Sequence, residues 1–132
     1  MQKLLLLLLL IISYVPVTVA QNKARYSDVK ASMKKPQLEA HALHVANKRA
    51  AALRCREEFK IAKIVSEDWE VMRNEHAMII ARYIHMELYG ETTDGRCGMS
   101  HCIFRQNMLA DNTYSPRLKV ENLGAFYDLE CE

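Results

Sequence analysis

The sequence predicts an α+β fold, a long amphipathic helix followed by antiparallel strands. Three observations carry this expectation. Residues 37–57 are mostly strong helix formers, with Leu38, Ala42, Val45, Ala46, Ala52 and Leu53 at helical spacing along one apolar stripe. Beyond Cys55 the apolar period changes to two, in Phe59, Ile61 and Val65 and, nearly so, in Met78, Ile80, Ile84, Met86 and Leu88. Polar clusters at Ser66-Glu67-Asp68, Asp111-Asn112 and Ser115-Pro116 separate these runs as turns.

The chain has 132 residues, 50% hydrophobic and 26% charged. That suffices for one compact domain and excludes a two-domain enzyme. Part of the apolar fraction is an unbroken run over residues 4–12, preceded by Lys3 and followed by Pro16 and Thr18-Val19-Ala20. This layout predicts a secretory signal peptide over residues 1–20, with the mature chain starting at Gln21. The run is about half of the ~20 residues a bilayer span needs. The mature protein is therefore expected to be secreted and soluble, without a membrane partner. Lys3 is the single charged residue of the predicted peptide, so 18 basic residues fall to 17 against 16 acidic ones, a net charge of +1. No nucleic-acid partner is expected, since such domains concentrate a basic excess. Cys55, Cys97, Cys102 and Cys131 are an even set in a short exported chain, which favours two disulfides over zinc ligation or a nucleophilic thiol. No Asn-x-Ser/Thr sequon occurs, so N-glycosylation is not expected.

Residues 21–36 are polar and without sustained periodicity, and are expected to be a flexible segment ahead of a domain spanning 37–132. Pro36 closes that segment and suits a first helical turn. The helix over 37–57 would run five to six turns, with Arg49 intruding on its thin, Ala-rich stripe. A half-buried strand is predicted over 58–65, where Lys63 breaks the inward face of Phe59, Ile61 and Val65. Residues 77–88 fit a strand and a helix about equally, and Gly90 is expected to end them in either case. A loop over 91–98 and short strands over 102–108 and 124–131 complete the order. The alternative architecture is an all-α bundle with 75–89 as a second long helix.

The stretch ARYIHMELYGETTDGRCGMSHCIF, residues 81–104, resembles the part of secreted cystatins where a Tyr-containing strand ending in Glu-Leu runs into a Thr-Thr-Cys loop and a Cys-x-Phe segment. Asp94-Gly95-Arg96 are inserted here between Thr93 and Cys97. Residues 38–48 and 58–65 resemble the cystatin helix and the strand after it. The resemblance implies one long helix packed on a four- to five-stranded antiparallel sheet. It also implies inhibition of papain-like cysteine proteases by a wedge of three parts, an amino-terminal Gly, a Gln-x-Val-x-Gly hairpin and a Pro-Trp hairpin. The sequence departs at each part. No Gly lies between Gln21 and Pro36. The first hairpin corresponds to Glu70-Val71-Met72-Arg73-Asn74, with Asn74 expected to take the left-handed conformation that Gly would supply. The second has Ser115-Pro116-Arg117 and no Trp. These departures weigh against tight inhibition. In a meander the start of one strand lies beside the end of the next, which favours the pairs Cys55–Cys97 and Cys102–Cys131 among the three pairings four cysteines allow. The second pair is similar to the cystatin bridge near the carboxyl terminus.

The remaining chemistry-bearing residues have simpler explanations. His41 and His44 stand at i and i+3 without a third ligand and are expected on the helix surface. His85 and His101 would need a reduced Cys97 or Cys102 to support nucleophilic chemistry. Glu67, Asp68 and Glu70 read as a solvated turn around Trp69, itself either a core anchor or a contact residue. Met72, Met78, Met86, Met99 and Met108 are expected to fill core gaps or loops. The expected function is thus binding, not catalysis, with no cofactor and no metal. The protein partner would be a papain-like cysteine protease, and the alternative is a secreted helical ligand or toxin-like protein acting on a receptor. The binding residues are expected to be Glu70, Val71, Met72, Arg73, Asn74 and Pro116.

Overall fold

A computed structural model describes residues 24–131; the predicted signal peptide and the expected start at Gln21 lie outside the described residues. Helix α1, Pro36–Ala52, opens on its proline, has Glu39 in its first turn and Arg49 in its last, and so opposes the helix dipole at both ends. Ala42, Ala46 and Ala50, four residues apart, form the buried line. The helix stops five residues short of the predicted end. Arg54 adopts φ 57°, its N–H donates to Ala51 O (3.1 Å), and that of Cys55 donates to Ala50 O (2.9 Å). This is the Schellman closure, made by Arg where Gly is usual, so no glycine in the sequence marks it. Ala52 and Leu53 fall outside the buried stripe and are exposed.

Five strands follow: β1 Glu57–Ile64, β2 Glu70–Arg73, β3 Ile79–Thr92, β4 Cys97–Asn107 and β5 Lys119–Leu129. All pairings are antiparallel in the order β1-β3-β4-β5, and β2 pairs with the part of β3 beyond β1. The α+β architecture, one helix on a five-stranded antiparallel sheet, is the one predicted. Of residues 77–88, those from Ile79 onward resolve as strand while Ala77 and Met78 fall in the β2–β3 turn, and the all-α alternative does not form. Gly90 does not end the strand, because it is needed inside it: a Cβ there would stand 2.8 Å from Glu58 O. Strand β3 accordingly continues to Thr92, the loop shrinks to residues 93–96, β4 begins at Cys97, and β5 begins five residues before the predicted 124.

The helix-side core joins the alanine line to Phe59, Ala62, Ile64, Ile84, Met86, Leu88, Cys102 and Phe104. A register shift between Phe59 and Ile61 turns the inward set of β1 into Phe59, Ala62 and Ile64 and leaves Ile61 exposed, where strict alternation would bury it. Asn47 holds this edge strand to the helix: its Nδ2 donates to Phe59 O (2.9 Å) and its Oδ1 accepts from Phe59 N (2.8 Å).

Part of the opposite face is covered by the segment expected to be flexible. Tyr26 is fully buried with Tyr89, Cys97 and Leu129. Its hydroxyl donates to Glu87 O at 2.6 Å. Lys63 Nζ donates to Tyr26 O (2.7 Å) and Val29 O (3.1 Å) and stands 4.2 Å from the Tyr26 ring centroid. Arg25 pairs with Glu130 (3.0 Å) and holds that carboxyl below its ordinary value, and Met33 bridges to Ile64. One aromatic side chain and its backbone contacts order a stretch whose average composition is polar.

Cys97 is bonded to Cys131, their Cα atoms 5.1 Å apart, while Cys55 and Cys102 are free thiols. The expected pairs are corrected by strand parity. Cys97 and Cys102 are an odd number of residues apart on one strand, so they face opposite sides of the sheet. Cys97 lies opposite Leu129, within reach of Cys131. Cys102 sits in mid-strand under the helix, its thiol pushed up to about 12 by burial, and Cys55 borders the helix-side core. Alkylation of the native protein is expected to label Cys55 alone and to reach Cys102 only after unfolding. Cys131→Ser, which opens a loop of sequence separation 34, is expected to cost about 3–4 kcal/mol in urea denaturation, and peptide mapping should recover Cys97 joined to Cys131.

Candidate functional site

The two segments matched to the cystatin hairpins come together at the end of the sheet away from the disulfide. In the β2–β3 turn, Asn74 Oδ1 accepts from the backbone N–H of His76 (2.9 Å) and Met78 (3.1 Å). Asn74 N donates to Met78 O (2.9 Å), and Arg73 Nη1 donates to Ala77 O (2.9 Å). The left-handed residue of this turn is Ala77, with φ 59°, and not Asn74. Asn74 acts through its side chain, whose bonds to the backbone leave the strained dihedral to a residue three positions on.

The β4–β5 link folds back on itself. Leu109 N donates to Thr113 O (2.7 Å), Asn112 N donates to Leu109 O (3.0 Å), and Met108 bridges to Tyr114. Asp111 Oδ1 accepts from Thr113 Oγ1 (2.6 Å), and this bond holds its carboxyl below the ordinary aspartate value. Met108 N donates across to Ile80 O at 2.9 Å, which brings the link against the start of β3. Between turn and link lies an open cleft of about 680 Å³, lined mainly by Arg73, Ala77, Met78, Ile80, Met108 and Leu109. Met78 (59%), Val71 (49%) and Leu109 (44%) are large apolar side chains exposed at this end.

Of the six predicted binding residues, Arg73 alone lines the cleft. Asn74 shapes its rim, and Val71 is exposed beside it. Met72 points to the outer face, where its sulfur accepts from the Tyr83 hydroxyl (3.0 Å). Glu70 is on that face as well, 3.6 Å from His85. Pro116 is exposed but follows the tip of the link and does not line the cleft. Sequence reasoning missed Met78 and Leu109; the available signal was an apolar residue beside each turn. The amino-terminal part is at the other end: Arg25 bridges Glu130 beside the disulfide, about 33 Å of strand away from Asn107.

Arg82 ties the two segments together. Its guanidinium lies 4.0 Å from the ring centroids of both Trp69, ahead of β2, and Tyr114, in the link, and its Nε donates to Gln106 Oε1 (2.9 Å). Trp69 is half-buried against the margin of the core, so it is a structural partner with one face on Arg82. His41 and His44 are exposed on α1. His101 and Cys102, as strand neighbours, face opposite sides, and Cys97 is oxidised, so neither cysteine meets an imidazole as a thiol. Among the described residues no group of three or more His, Cys, Asp or Glu is arranged to hold a metal ion, and no helix is long and apolar enough to cross a membrane.

Comparison with known proteins finds no family, no curated protein and no solved structure that matches the chain.

Arg82→Ala is expected to release Trp69 and Tyr114 together, shift Trp69 emission to the red and lower stability by about 1–3 kcal/mol. Arg82→Lys should recover only part of this, because an ammonium cannot stack its plane on two rings. Tryptophan fluorescence and urea titration read both effects.

Proposed function

We propose that this is a secreted binding protein that uses the cleft end of its sheet to engage a protein partner, with papain-like cysteine proteases as the partner class. The observation that carries this reading is the convergence of the β2–β3 turn and the β4–β5 link around a cleft lined by exposed Met78 and Leu109, with exposed Val71 on the strand that leads into the turn. Exposed apolar side chains on backbone-braced turns offer area to a partner at small ordering cost. The partner class comes from the resemblance of residues 81–104 to secreted cystatins. Secretion rests on the predicted leader, and the Cys97–Cys131 disulfide is compatible with an oxidising compartment.

The mode is occlusion. Two apolar tips would enter the walls of a substrate cleft without offering a scissile bond at the catalytic residue. Three features lower the expected strength relative to a three-part wedge. The amino-terminal segment is pinned at the far end of the sheet, Arg73 puts a charge at the rim of the cleft, and no Trp stands on the link.

Titration of papain and of a cathepsin with the oxidised mature chain tests this reading. Reversible inhibition in the micromolar range is expected. Met78→Asp and Leu109→Asp, which place a charge on each tip, should each weaken it at least tenfold while leaving the circular dichroism spectrum unchanged. A folded sample that inhibits neither enzyme, or inhibition indifferent to both substitutions, would overturn the assignment.

A further inference from the structure

Two imidazoles meet on the outer face of the sheet, away from the cleft. His85 in β3 and His101 in β4 are diagonal neighbours, since Glu87 pairs with His101 and His85 with Ile103. His85 Nδ1 and His101 Nε2 lie 2.9 Å apart. Behind each ring stands a carboxylate. Glu87 Oε1 is 2.8 Å from His101 Nδ1, and Glu70 Oε2 is 3.6 Å from His85 Nε2.

Proton counting makes this arrangement informative. An ionised carboxylate only accepts, so Glu87 selects the Nδ1–H tautomer of His101 and leaves its Nε2 as a lone pair facing His85 Nδ1. A neutral imidazole carries one N–H. Without a metal, His85 Nδ1–H can donate to that lone pair, and a divalent ion that displaces this one proton meets two imidazole nitrogens already side by side. The carboxylates, one of them only 19% exposed, add negative charge around the pair.

We propose that His85 Nδ1 and His101 Nε2 chelate a divalent transition-metal ion of the zinc, copper or nickel class, with Glu87 orienting the His101 ring from behind and Glu70 adding negative charge beside His85. Two nitrogens bound at 2.0–2.1 Å to one metal are about 2.9 Å apart at a right angle and about 3.3 Å apart at the tetrahedral angle, which matches the observed separation. The rings, whose nitrogens face each other with centroids 5.2 Å apart, must turn for both lone pairs to converge on the ion. A carboxylate on the far nitrogen of a ligating imidazole is the usual support of such a ligand, since it fixes the tautomer and raises the basicity of the ring. The side chains of His85 (26% exposed) and His101 (39%) are open to solvent, so an ion can reach them and water can complete its coordination. With two protein ligands, binding is weaker than at a closed structural site. The pair differs from His41 and His44, which the sequence offered by helical spacing and which have no carboxylate behind them among the described contacts.

Calorimetric titration of the oxidised mature chain with Zn²⁺, Cu²⁺ and Ni²⁺, together with ¹⁵N NMR of the histidine rings in Zn²⁺, tests the proposal. One equivalent is expected to bind saturably at submillimolar concentration, with ring shifts confined to His85 and His101. His85→Gln and His101→Gln should each abolish binding, the double variant His41→Gln/His44→Gln should retain it, and Glu87→Gln should weaken it about 10–100-fold. Absence of saturable binding to the folded chain overturns the proposal, as does binding that survives His85→Gln or ring shifts centred on His41 and His44. The ring shifts of the unsubstituted protein decide the assignment even if a variant fails to fold.

Discussion

The rest of the structure depends on the unbroken register between β3 and β4. Eleven consecutive pairs run from Ala81 opposite Asn107 to Glu91 opposite Cys97 without a bulge. Because side chains alternate with a period of two, this one ladder assigns every residue of both strands to a face. Ile84, Met86, Leu88, Cys102 and Phe104 go to the helix; Tyr89, Cys97 and Met99 go to the other side. The irregularities fall in the flanking pairings, at Phe59/Ile61 on β1, Met72/Arg73 on β2 and twice where β4 meets β5. Flanking strands can absorb an extra residue, whereas a shift in the central ladder would exchange the two faces.

The faces are covered by different means. On one, three alanines let α1 lie close to the sheet, and Asn47 fixes the helix to the backbone of β1 by two hydrogen bonds. Its amide satisfies a donor and an acceptor of the same residue on an edge strand, where no neighbouring strand serves them. On the other face a single segment crosses from Glu130 to Ile64, with Tyr26 as its anchor and Lys63 binding two of its carbonyls. On β3 the helix side buries Ile84, Met86 and Leu88, while the outer side buries only Ala81 and Tyr89 among its apolar residues and leaves His85 and Glu87 partly exposed, so apolar residues occur on both faces.

Function follows from the same division. One end of the sheet is closed by the Cys97–Cys131 bond and the Arg25–Glu130 pair. At the other, the turn and link are braced by their own backbone and by Arg82 between two rings. The apolar side chains there are exposed because the hydrogen bonds of Asn74 and Asp111 set the turns and leave Met78 and Leu109 no core to enter. The imidazole pair lies on the outer face, so the two proposed activities use separate surfaces.

The sequence by itself determined the helix start at Pro36, the change of period after Cys55 and the turn-rich link before β5, because these depend on local propensity and patterning. Only the tertiary structure decided the rest. Residues 79–88 became strand because β4 supplied a partner on one side and β1 and β2 on the other. Gly90 and Arg54 exchanged expected roles, the glycine inside a strand where another backbone approaches and the arginine in the left-handed helix cap. The cysteine pairing depended on where β4 begins: placing its start at Cys97 instead of 102 puts Cys131 beside Cys97 and Cys102 under the helix. Of the six residues foreseen for binding, the four on β2 were divided between two faces because alternation sends neighbouring side chains in opposite directions, while Asn74 went to the rim and Pro116 beyond the tip of the link. Tyr26 and the His85–His101 contact were beyond sequence reasoning for one reason: each joins residues whose proximity is set by sheet register and by no spacing along the chain.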